Sequence, residues 1–168
     1  IKKVKEYLLN YDVKNFGFVH EIDSNDKNIN ELVKKIDENF GNIDILVNNV
    51  GGSLGSSSLL ENDIETYMNV FNINFWSSIK LMKVYSERMV LNGWGRVINI
   101  ASIFGREYGG KSSSYMSSKA SLIAATKHLS IELADKGVTV NSIAPGPIKH
   151  EGGSWEKFVN NSSSEEVK

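Results

Sequence analysis

The chain has 168 residues, 40% of them hydrophobic, a net charge of −1 and no cysteine. This is enough apolar material for one core of ordinary size, and it excludes a disulfide-stapled or thiolate-metal protein. Lys and Arg are dispersed, so neither a basic stripe for nucleic acid nor a basic amphipathic helix for a membrane is present. No apolar run approaches a membrane span and residues 1–20 lack a signal-peptide pattern, which makes the cytoplasm the expected location. His20, His128 and His150 lie far apart without metal-ligand spacing, so no metal is expected.

In chain order, Ile1 to Leu9 reads as the later part of an amphipathic helix, and Phe16 to Ile22 as a strand. Asp26 offers an N-cap to a helix with Ile29, Leu32, Val33, Ile36 and Phe40 on one face, closed by Gly41. Ile43 to Asn48 is a short, mostly apolar strand, followed by a glycine- and serine-rich loop from Asn49 to Ser58. A long helical pattern runs from about Asp63 to Leu91, with Asn74 as its polar exception, and Asn92-Gly93 closes it. The strand Arg96 to Ala101, a polar loop from Ser102 to Ser114, a helix from about Tyr115 to Asp135 and the strand Val138 to Ile143 follow. Ser162 to Glu166 has capping-box spacing and reads as a further helix start. Strands alternating with crossover helices predict an α/β fold, a Rossmann-like, doubly wound parallel sheet in three α/β/α layers. Ligands of such sheets sit at the carboxyl ends of the strands, and every polar motif here falls on that edge.

Tyr115 and Lys119 are four apart and so share one face of their helix, where an ammonium can lower the pKa of a phenol and make it a proton donor near neutral pH. Ser102, at the end of the preceding apolar run, adds a third hydrogen-bonding group. Together they fit the reduction of a carbonyl. Taken alone, the pair reads as well as a surface tyrosine packed on a lysine stem.

Further segments complete the pattern. Ile22-Asp-Ser-Asn-Asp26, Asn48-Asn-Val-Gly51, Ile73-Asn-Phe75, Ile100-Ala-Ser102, Tyr115-Met-Ser-Ser-Lys119 and Pro145-Gly146 occur in this order over nearly the whole chain. The sequence thereby resembles the short-chain dehydrogenase/reductase family, especially members of the 3-oxoacyl-carrier-protein reductase type. The resemblance implies an NAD- or NADP-dependent oxidoreductase in which Tyr115 exchanges a proton with the substrate oxygen as hydride moves to or from nicotinamide. It implies that Ser102 bonds that oxygen, that Lys119 holds the nicotinamide ribose and favours tyrosinate, and that Asn74 binds a water linking Lys119 to solvent. For the cofactor it implies Asp23 and Ser24 at the adenine, Asn49, Val50 and Gly51 along the adenosine ribose, and Pro145, Gly146 and Ile148 beside the nicotinamide, in addition to Tyr115 and Lys119.

The sequence departs from the family in three places. No Gly-x-x-x-Gly-x-Gly phosphate loop is present, His150 stands where a threonine is usual, and Val50 replaces an alanine. The chain is therefore expected to be one partial domain, residues 1–168, lacking the first two strands and the last, and inactive alone. A small-molecule carbonyl or alcohol substrate, and a homodimer or homotetramer built through helices 63–91 and 115–135, are implied by the resemblance. Two other readings are a non-catalytic binding or scaffold subunit of the same fold and an enzyme acting on sugar nucleotides.

Overall fold

A computed structural model describes residues 26–108, 112–148 and 154–162. The expected strand at 16–22, the helix at 1–9, His20, Asp23, Ser24, His150 and the helix start beyond Ser162 lie outside the described residues. The elements are α1 (Asp26–Phe40), β1 (Ile45–Asn48), α2 (Ile64–Phe71), a π-helical segment (Asn72–Trp76), α3 (Ser77–Leu91), β2 (Gly95–Ile100), a 3-10 turn (Ile103–Gly105), α4 (Ser113–Glu132), β3 (Val138–Ile143) and α5 (Ser154–Asn161).

The three strands are parallel in the order β1-β2-β3, with Leu46 opposite Val97 and Val97 opposite Val140. Strands added in one direction along a sheet place successive crossover helices on the same face. Accordingly Leu46, Val97, Val138 and Val140 share one face and form a core with Ile29, Leu32 and Val33 of α1, Leu81, Met82, Tyr85 and Met89 of α3 and Leu122 of α4. Residues on the opposite face, such as Ile45, Val47, Thr139 and Asn141, are exposed among the described residues. The second helical layer of the expected α/β/α sandwich is therefore not among them. The strand expected over 43–48 is shorter, 45–48, and its residues alternate between exposed and buried.

Local chemistry sets the element ends. Gly41 ends α1 and Gly93 ends α3 at φ of 72° and 68°, a left-handed geometry that costs glycine nothing. Asp63 caps α2 by accepting from the Thr66 N–H at 2.6 Å and the Thr66 hydroxyl at 3.1 Å, bonds that hold its carboxyl below the usual carboxylate range. Arg88 of α3 makes a two-pronged bond to Asp37 of α1 at 2.6 and 3.1 Å, joining the two helices. Beside it, burial and the Asp37 charge push the Tyr85 phenol up to about 12, opposed by Arg88. No helix among the described residues is long and apolar enough to cross a membrane.

The helix expected over 63–91 is continuous but not uniform. At Asn72–Trp76 it widens into a π-helical segment, with the Ser77 N–H bonded to Asn72 O. Widening inserts one residue into the ladder and is common near functional sites. Helix α4 differs in another way, because the positions it buries are Ser114, Ser118, Lys119, Leu122 and Thr126. With so few apolar anchors, polar contacts place it.

Candidate active site

The site forms where β2 and β3 end. Ala101 N–H donates to Ile143 O at 2.8 Å and Ile103 N–H to Pro145 O at 2.9 Å, tying the two strand-end loops side by side. Ser102, 8% exposed and in extended conformation, starts the 3-10 turn, and its Oγ accepts the Phe104 N–H at 3.2 Å. The hydroxyl hydrogen remains for another acceptor.

Tyr115 is the third residue of α4 and half-buried, with Lys119 one turn further on and buried. The Lys119 Nζ stands 5.7 Å from the centre of the Tyr115 ring and donates to Ile100 O at 2.8 Å. Burial pushes its ammonium down to about 8, since leaving water disfavours the charged form. An ammonium has three N–H donors, so donors remain after the bond to Ile100.

Asn74, with no exposed surface, is held by the π-helical segment against the loop after β1. Its Nδ2 donates to Gly52 O and Val70 O, each at 2.8 Å, and its Oδ1 accepts the Gly52 N–H at 3.0 Å. Both amide hydrogens are thus committed, and the side chain works as a clamp on the loop. Gly51 lies under the same clamp, where a Cβ would fall inside van der Waals contact of Asn74 Oδ1 and 3.2 Å from Lys119 Nζ. Only a residue without a side chain fits there without movement.

Ser102, Tyr115, Pro145, Gly146 and Ile148 line one cavity of about 900 Å³. Asn49 and Val50 do not reach it. They line a recess of about 190 Å³ between α1, β1 and α3, with Asn48 and Tyr85. The cavity also takes in Gly52, Ser53, Phe104 and Phe158, which the sequence reading did not single out. Phe104 had a signal in its place two residues after Ser102; Phe158 had none.

Behind the site lies a buried polar chain. Asn48 Nδ2 donates to Asn99 Oδ1 at 2.8 Å, and Asn99 Nδ2 donates to Thr126 Oγ1 at 2.8 Å and Met82 Sδ at 3.1 Å. The Thr126 hydroxyl donates to Leu122 O at 2.6 Å. One asparagine in the core of β2 thus links β1, α3 and α4, two helical turns beyond Lys119.

A parallel α/β sheet with its polar residues gathered at the carboxyl strand ends is the Rossmann-like architecture. The family model described as short chain dehydrogenase matches residues 1–157, and the chain belongs to that family. A 3-oxoacyl-(acyl-carrier-protein) reductase of Rickettsia conorii is 41% identical over 87 residues, 52% of this chain and 36% of that protein. A D-beta-hydroxybutyrate dehydrogenase of Rhizobium meliloti is 36% identical over 85 residues, 51% of this chain and 33% of its own length. These matches therefore span about a third of the curated relatives' length. Among solved structures, ElxO with NADP bound has a TM-score of 0.81 at 30% identity, over 99% of this chain and 67% of that one. An NAD+-bound xylitol dehydrogenase has a TM-score of 0.78 at 26% identity, over 86% and 55%.

Proposed function

We propose that the full-length protein is an oxidoreductase that uses NAD or NADP to interconvert a carbonyl and a secondary alcohol. The observation that carries this reading is that Ser102 and Tyr115 line one cavity at the strand ends, with Lys119 buried one turn behind Tyr115.

The residues present fit the nicotinamide half of such a cofactor. Gly146 and Gly52 have open space beside them, Ile148 and Pro145 offer an apolar wall, and Lys119 retains N–H donors for a pair of ribose hydroxyls. When bound, the nicotinamide supplies or accepts the hydride. Ser102 donates its hydroxyl hydrogen to the substrate oxygen, where a fixed dipole meets developing negative charge. Tyr115 gives its phenolic proton to that oxygen in the reducing direction and takes it back in the oxidising direction. Lys119 orients the cofactor and supports the phenolate by its charge, while Asn74 keeps Gly51 and Gly52 in place beneath. In the cofactor's adenosine half, the reading assigns Gly51 to the ribose, whereas Asn49 and Val50 act through the loop rather than from the cavity.

Tyr115→Phe in the full-length protein tests this directly. Loss of the proton donor is expected to lower kcat by about a thousandfold, with binding of NADH or NADPH retained, measured by steady-state kinetics and fluorescence titration. A variant that keeps its turnover would remove the acid/base role of Tyr115, whereas a parent protein that binds NADH or NADPH without any turnover would favour a binding subunit over an enzyme.

A further inference from the structure

Helix α4 is capped from outside. A helix begins with N–H groups that have no carbonyl one turn back, and the residue before it ordinarily supplies an acceptor from its side chain. Ser112 holds that position, yet its side chain makes no capping bond. The acceptors come instead from the loop after β1, 56 residues earlier in the chain. Ser57 O accepts the Ser113 N–H at 2.9 Å and the Ser113 hydroxyl at 2.8 Å. Ser56 Oγ accepts the Tyr115 N–H at a longer 3.5 Å and the Ser114 hydroxyl at 2.7 Å. Ser114, with no exposed surface, accepts in turn from Asn62 Nδ2 at 2.9 Å. The Ser114 hydroxyl thereby both donates and accepts, buried between two segments of the same loop.

The loop is also fixed at its other end, where Asn74 holds Gly52 by both its N–H and its carbonyl. Residues 52–57 are therefore a strap between the clamp at Asn74 and the first turn of α4, with Gly52 and Ser53 on the cavity wall. Tyr115 sits in that first turn, the part of a helix that frays when its donors lose their acceptors. Lys119 sits one turn deeper and has its own anchor at Ile100 O.

We propose that Ser56, Asn62 and Ser114 are positioning residues for Tyr115, an external cap that sets where the phenol stands relative to Ser102. The proposal rests on the reading of Tyr115 as the acid/base residue. Loosening the cap moves the proton donor while Lys119 and the cofactor site stay in place, so chemistry suffers and cofactor binding does not.

The test uses the full-length protein with Ser56→Ala, Asn62→Ala and Ser114→Ala. Ser121→Ala is the control, because the Ser121 hydroxyl bonds Ser117 O on the exposed side of the same helix. In the cap variants kcat is expected to fall about tenfold, the KM for NADH or NADPH to stay within about twofold, and the solvent deuterium isotope effect on kcat to rise as proton transfer slows. Ser56→Thr, which keeps the hydroxyl, is expected to recover kcat, and Ser121→Ala to match the parent. Folded Ser56→Ala and Asn62→Ala proteins with kcat within about twofold of the parent overturn the proposal, as does a loss of kcat with an unchanged isotope effect. Ser56 and Asn62 are only partly buried and decide the matter if Ser114→Ala does not fold. Tyr115→Phe separates the two claims: full activity there removes the reading of Tyr115, whereas inactivity beside normal cap variants removes only the cap.

Discussion

The two ends of strand β2 are held by different physics. At its amino end, Gly95 lies so close to the Met89 side chain that no Cβ would fit, and fully buried Val97 packs among aliphatic neighbours. At its carboxyl end, Asn99 makes three side-chain hydrogen bonds and Ile100 O takes the Lys119 ammonium. Aliphatic packing is non-directional and tolerates exchange of shape at constant volume. A buried hydrogen-bond network is directional, and one lost partner leaves the others stranded. The end that holds a geometry for chemistry is the end built from bonds with direction.

Substitutions can break or sharpen this contrast. The largest stability loss is expected from Asn99→Leu, which keeps the volume but leaves the Asn48 amide and the Thr126 hydroxyl without their partner. Roughly 3 kcal/mol should be lost, read from the denaturation midpoint of the full-length protein. Gly51→Ala comes next, because its methyl must displace the Asn74 carboxamide; about 2 kcal/mol is expected in the same measurement, with weaker cofactor binding in parallel. Lys119→Met has the opposite sign for stability. Burial lowers the Lys119 pKa from 10.5 to about 8, so the unfolded chain binds the proton more readily than the folded one. The cost of the buried ammonium is fully present below pH 8 and is relieved as pH rises towards 10.5. The inactive variant should therefore be more stable than the parent near pH 7 by roughly 2 kcal/mol, and the gap should close over that window in pH-dependent unfolding. The smallest change is expected at the aliphatic end, where Met89→Leu should cost less than about 1.5 kcal/mol and leave activity intact. A Met89→Leu penalty exceeding that of Asn99→Leu would overturn the contrast.

Much of this was legible in the sequence. The strand at Val138–Ile143, the glycines that end α1 and α3, and the shared face of Tyr115 and Lys119 follow from local periodicity and turn chemistry. The site residues Ser102, Tyr115, Pro145, Gly146 and Ile148 do come together around one cavity. What escaped has partners far along the chain. Ser56 to Ser58 and Ser112 to Ser114 each read as polar loop, and nothing local says that two serine runs will bond to one another. Asn74 looked like a polar residue in an apolar helix, and its burial becomes intelligible only with Gly52 opposite. Asn48, Asn49 and Val50 line the recess beside Tyr85, while a Cβ at Gly51 would meet Asn74 and Lys119.

The widened turn at Asn72–Trp76 carries one more consequence. The wide turn absorbs one residue more than an α-helical ladder holds, so the rod on either side keeps its phase. Excising a single residue there would let the rod close into regular α-helix with Leu81, Tyr85 and Met89 still turned to the interior. What would go is the outward step that presents Asn74 to Gly52. A shortened variant should therefore fold and yet lose its hold on the loop.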